Sequence, residues 1–286
     1  MPTDTATANY SVRYVLERRA LRLGVGVTAI FLLAMTFQWT LAYLAPIFLP
    51  LMLQAGRPFH VAEAIKLLVA VLVVMIGTYF LAAVSRQIPA LFALLLIPML
   101  FATFRSLFRG GSVLIVLMIL VGLVLSPLAA KVSLDSAWDV SASFVWNIGL
   151  CLAMSYVLFV LFPPLSSEPK PKLRPVFLPA EADQRAAALA VIVGGYTLVY
   201  LALDWHNVHT PLYIAVFASS LGFSRTAGLA KGILAANVVG GVVATVMFEL
   251  TAAAPNLLFL AALTLPVMLM FARAVVSNAP WAPLAS

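Results

Sequence analysis

The chain has 286 residues, of which 64% are hydrophobic and only 9% charged, with a mean hydropathy of +1.08. Soluble domains carry about 25% charged residues, so this composition excludes a water-soluble globular protein and points to a polytopic membrane protein whose first partner is the lipid bilayer. The net charge of +7 does not mark a nucleic-acid binder, because the basic residues are scattered between apolar runs, and a lone Cys151 excludes an intramolecular disulfide.

Residues 1–19 read as a cytoplasmic N-terminal tail, disordered over 1–9, and the basic stretch "VRYVLERRALRLG" leads into the first apolar run. That run is too long for a signal-peptide core and no clean cleavage site follows it, so it is expected to stay as a signal anchor. Ten apolar segments follow in order, over residues 21–37, 40–54, 63–85, 88–104, 112–130 and 141–162, then 186–203, 210–221, 231–250 and 255–271. Most have the ~17–25 residues that a helix needs to cross a ~30 Å hydrocarbon layer. Period-2 alternation is absent, so the expected fold is all-α and polytopic, with about ten transmembrane segments. Residues 20–162 form the first membrane unit and 186–273 the second. A Pro-rich cytoplasmic linker covers 163–185, and 274–286 is a C-terminal tail.

If the N-terminus is cytoplasmic and all ten segments cross, only Arg86 and Lys131 of the 17 Lys and Arg residues fall on the outer side. This positive-inside bias places both termini in the cytoplasm, and Trp39, Trp138 and Trp205 then lie at the outer interface as an aromatic belt.

The sequence repeats internally. Setting Arg19 against Arg185 aligns Trp39 with Trp205, Gly56 with Gly222 and Pro89 with Pro255; after a two-residue gap, "IPMLFATFR" matches "LPVMLMFAR". The repeats span 19–105 and 185–273, four segments each, with segments five and six unpaired. An even number of crossings separates them, so the repeats are expected to be parallel. In both, the second segment (segments two and eight of the chain) is short. At ~1.5 Å per residue, residues 40–54 cover ~22 Å and 210–221 only ~18 Å, less than the hydrocarbon thickness. Pro46 and Pro50 interrupt the first further. Short or broken segments at matching places in two repeats point to a transporter's binding site; the alternative is a pair of tilted helices or a locally thinned bilayer.

The runs "RRALRLGVGVTAIFLLAMTFQW", "LAPIFLPLMLQAGRP" and "IKLLVAVLVVMIGTYF" resemble the fusaric acid resistance and aromatic acid exporter superfamily. Basic residues open its first helix, an aromatic closes it, a short apolar segment follows, and the next helix carries a Gly-Thr step, here Gly77-Thr78. The chain looks like a short bacterial branch without the cytoplasmic domain of long members. The resemblance implies export of small organic or aromatic acids across the bacterial inner membrane, with a periplasmic adaptor of the membrane-fusion type as partner. It also includes plant malate channels, so a passive organic-anion channel is the alternative, and a non-transporting membrane scaffold a third.

Read from the residues themselves, an organic anion needs positive potential along its path. Each repeat has an arginine after its short segment, Arg57 and Arg225, and a lysine entering its third helix, Lys66 and Lys231. These either line a cytoplasmic mouth or act as topology determinants that snorkel to the interface. Pro46, Pro50 and Gln54 in segment two, Ser219 and Ser220 in segment eight, and Asn237 in segment nine are the pathway candidates within the membrane, with Tyr213 as a flat apolar wall beside Tyr43, Phe48 and Phe217. "DWHNVHT" puts Asp204, His206 and His209 in an outer loop, read as solvated, with protonation as its functional alternative and no metal assigned. Gly228, Gly232, Ala236, Gly240 and Ala244 form a small-residue stripe for close packing within the protomer or in a homo-oligomer. No cofactor motif and no catalytic cluster stands in the sequence, so an enzyme is not expected.

Overall fold

The computed structural model describes residues 4–54, 58–165, 176–203, 209–222, 227–254 and 256–277. They form ten α-helices and one 3-10 turn, with no strand among the described residues: α1 (Asp4–Phe37), the 3-10 turn (Ala42–Leu44), α2 (Ala45–Leu53), α3 (Val61–Gln87), α4 (Pro89–Phe108), α5 (Val113–Val132), α6 (Leu134–Leu161), α7 (Pro179–Ala202), α8 (His209–Gly222), α9 (Ala227–Ala253) and α10 (Leu257–Ser277). The protein is an all-α, multi-pass membrane protein. Among the described residues, seven helices are long and apolar enough to cross: α1 from Tyr14, α3 to α7, and α10.

Each expected segment has its helix, and the ends differ for physical reasons. The tail expected to be disordered over 1–9 is helical from Asp4, because α1 simply continues outward through residues without Gly or Pro. The linker expected to run to 185 ends earlier, since Pro179 at the first helical position starts α7. Likewise α6 begins at Leu134, where the Ser133 hydroxyl accepts the Ser136 N–H at 2.9 Å. At the end of α4, Gly110 adopts φ +91 and the Gly111 N–H reaches the Ser106 carbonyl at 2.8 Å, a glycine-closed helix terminus.

The chain divides into two compact units that cut across the sequence repeat. The first contains α1, α2, the part of α6 from Asn147, α9 and α10. Here α1 packs chiefly on α10 and on α2. Glycines set the approach: a Cβ on Gly24 would stand 2.7 Å from Leu269 Cδ2, and one on Gly26 would stand 2.4 Å from Leu158 Cδ1. The second unit contains α3, α4, α5, the start of α6, α7 and α8. There α7 packs chiefly on α4 and on α8, and Gly194 lies against Ile97 of α4. In each unit, then, the first helix of one repeat packs on the fourth helix of the other and on its own short helix. Helix α5 packs against α8 and α4, and its residues 120–130 are all buried, so it is apolar on every side, as a core helix must be.

Candidate functional site

In the first unit, the chain breaks between α1 and α2 through two non-glycine residues in the left-handed region, Gln38 (φ 47) and Leu41 (φ 57). Such backbone costs about 1–2 kcal/mol per residue and persists only where its surroundings fix it. The fixing group is Asn147 of α6, fully buried, whose Oδ1 accepts the Trp39 indole N–H at 2.9 Å while its Nδ2 faces the Thr40 carbonyl at 3.5 Å. One turn further along α6, the Cys151 thiol donates to the Ala45 carbonyl at the start of α2. These contacts hold a nine-residue helix in which Pro50, lacking an N–H, gives nothing to the Pro46 carbonyl.

That helix forms one wall of a pocket of about 390 Å³. Pro46, Ile47 and Pro50 come from α2 and Gln54 caps its C-terminal end, Leu23 and Val27 come from α1, Met268, Phe271, Ala272 and Val275 from α10, and Gly240 from α9. The lining is apolar except for the Gln54 amide and the proline-interrupted backbone, and the volume suits a small organic molecule. A Cβ on Gly240 would meet nothing within 4 Å among the described residues. Pro46, Pro50 and Gln54 are thus brought together.

The other expected pathway residues are not in this pocket. Lys66 on α3 belongs to the second unit and Lys231 on α9 to the first; both are exposed. Asn237 is exposed on α9 and Tyr213 on α8. Ser219 is buried, and its hydroxyl donates to the Ala215 carbonyl of its own helix at 2.7 Å. Phe48 is buried in packing. Arg57, Arg225, Asp204 and His206 lie outside the described residues, as do the side chains of Ser220, Phe217 and His209, the last opening α8. Among the described residues, a Cβ on Gly232 or Gly240 of the small-residue stripe would meet nothing within 4 Å.

Several basic residues assigned to topology have specific partners. Arg22 is fully buried, stacks 4.4 Å from the Phe159 ring centroid and donates to the Phe162 carbonyl at 3.2 Å, beyond the end of α6. In the second unit, Arg105 and Arg109 at the end of α4 share the Asp183 carboxylate at 2.8 and 2.9 Å. Arg185 donates to the Gly222 carbonyl at the end of α8 at 2.7 Å and lies 4.4 Å from the Phe177 ring. Each pairing puts a cation at a helix C-terminus or a carboxylate in the first turns of one, where the helix dipole favours it. Periodicity carries no signal for such pairs, because the partners are 37 to 140 residues apart.

A second pocket, of about 370 Å³, lies in the second unit between the ends of α3, α5 and α7 and the start of α4. No group of three or more metal-binding side chains occurs among the described residues.

No curated protein and no solved structure matches the chain. The model of one family, described as a protein of unknown function (DUF2955), matches residues 19–158, the stretch from the middle of α1 to the last turn of α6 that includes the proline-interrupted α2 and its Asn147 clamp.

Proposed function

We propose that the chain is a bacterial inner-membrane transporter that exports small organic or aromatic acids, with both termini cytoplasmic and a periplasmic adaptor as partner. The observation that carries this reading is the unit-one pocket: a short, proline-interrupted helix, clamped at its N-terminal end by Asn147, walls an apolar cavity large enough for a single-ring acid. Two kinds of sequence signal support it. The short segment recurs in the second repeat, and the first three segments resemble those of the fusaric acid resistance and aromatic acid exporters. The distribution of Lys and Arg supports the orientation.

The test is uptake of radiolabelled benzoate into everted membrane vesicles that hold the protein. An exporter accumulates label in energised vesicles, and an uncoupler abolishes the accumulation. Label that only equilibrates, with currents in planar bilayers that follow the anion gradient, would make the protein a passive channel. Neither accumulation nor equilibration above empty vesicles would overturn transport altogether. Lys66→Ala and Lys231→Ala are each expected to lower the rate by reducing positive potential at the cytoplasmic end of its own unit; rates unchanged in both would remove that role from them.

A further inference from the structure

Arg86 and Lys131 are the two basic residues that the expected ten-crossing topology places on the outer side, and both, though exposed, line the 370 Å³ pocket of the second unit. Positive charge on that side is unusual, and the convergence of both exceptions on one cavity asks for a reason. Arg86 stands in the last turn of α3 and Lys131 in the last turn of α5. Pro89, which has no N–H, starts α4 at the same place, and the Phe92 N–H donates to the Ile88 carbonyl. Helices α3, α5 and α7 bring their C-terminal ends to the pocket, so its positive charge comes from the two side chains. The remaining lining is Ser85, buried Phe92, and Leu198, Leu201 and Ala202 of α7. Lys131 also donates to the Leu201 carbonyl, which holds its ammonium at the rim, while among the described residues Arg86 has neither a hydrogen-bond nor an ion-pair partner.

We propose that this pocket binds an oxyanion carried on an apolar body: a carboxylate or phosphate oxygen between the Arg86 guanidinium and the Lys131 ammonium, with the body against Phe92 and Leu198. The guanidinium fork matches two oxygens of such a group, and the lysine adds a point charge. The site is single. In the second repeat the positions matching Ser85, Arg86, Pro89 and Phe92 are Thr251, Ala252, Pro255 and Leu258, which carry no cation. One oxyanion per chain is therefore expected. The proposal does not need the transport reading, because binding at this place is measurable without flux.

The oxyanion has two sources, a soluble carboxylic acid or a phospholipid headgroup, and the experiment separates them. Equilibrium binding of radiolabelled benzoate is measured on the purified full chain in phosphatidylcholine nanodiscs, then in discs that also contain phosphatidylglycerol. The proposal expects saturable binding in phosphatidylcholine that is about tenfold weaker in Arg86→Gln and in Lys131→Gln. Arg86→Lys should recover part of the loss, and circular dichroism should match the wild type. Displacement of benzoate by phosphatidylglycerol in the wild type, absent in Arg86→Gln, assigns the site to a lipid phosphate; no displacement assigns it to a soluble acid. Equal benzoate affinity in the wild type, Arg86→Gln and Lys131→Gln overturns the proposal and leaves the transport reading standing. No binding of benzoate and no effect of phosphatidylglycerol on the wild type overturns it as well. Binding that depends on both cations in a protein without flux would keep this site and remove the transporter.

Discussion

Replacing Asn147 with leucine removes the amide that holds the α1–α2 connection while keeping a side chain of similar length in a fully buried position. The 2.9 Å bond from the Trp39 indole is the main loss; the 3.5 Å approach to the Thr40 carbonyl is at the limit of a hydrogen bond and adds little. Side-chain hydrogen bonds between membrane helices contribute on average ~0.6 kcal/mol and up to ~1.7. The indole is only half-buried, which puts the expected Trp39–Asn147 coupling at about 1 kcal/mol. The left-handed Leu41 stores a further ~1–2 kcal/mol that Asn147 helps to hold in place. Leu41→Gly should therefore stabilise the protein by up to ~1 kcal/mol and soften the effect of Asn147→Leu. The assay is a double-mutant cycle of Trp39→Phe and Asn147→Leu, with free energies from reversible SDS-induced unfolding in mixed micelles. Additivity of the two substitutions within ~0.3 kcal/mol would refute the clamp.

Three other substitutions test the packing and the charge pairs. The Asp183 carboxylate lies between Arg105 and Arg109 with all three side chains more than a third exposed, so Asp183→Asn should destabilise the protein only weakly, and most of that effect should vanish at 1 M salt in the same unfolding assay. The glycines divide sharply by surroundings. Gly26→Val drives a side chain into Leu158 and Leu53 and should cost ~1–3 kcal/mol. Gly77→Ala meets nothing within 4 Å and should be neutral or stabilising by ~0.5–1 kcal/mol, measured as the shift in the thermal midpoint.

The helical architecture was legible because lipid leaves the backbone no choice. Apolar runs bounded by charges must be helices, and all ten appear near their expected places. The ends were less so: the start of α6 depends on the Ser133 cap, and α7 on Pro179, local chemistry that hydropathy averages away. The exchange of fourth helices between repeats was not legible. Both α4 and α10 read equally well against their own first helix, and only packing such as Gly24 on Leu269 and Gly194 on Ile97 selects the partner. Of the candidate site, the proline-interrupted α2 stood out in sequence, and three of its residues do meet in one pocket. Its supports did not. Asn147 reads as one polar residue in a long apolar helix, and its bond to Trp39 spans 108 positions. Ser219 carries no signal of its own either, since a membrane serine can satisfy itself on the preceding turn, as this one does.

The pocket's part in transport is tested most directly at Gly240, the lining residue with open space in front of it. Gly240→Leu places an isobutyl group into the cavity, whereas Gly241→Leu places the same group on the neighbouring position, which also faces open space but does not line the pocket. In energised everted vesicles at matched protein levels, benzoate accumulation is expected to fall at least tenfold in Gly240→Leu and to stay within twofold of wild type in Gly241→Leu. Equal accumulation in wild type and Gly240→Leu would show that the substrate does not pass through this pocket.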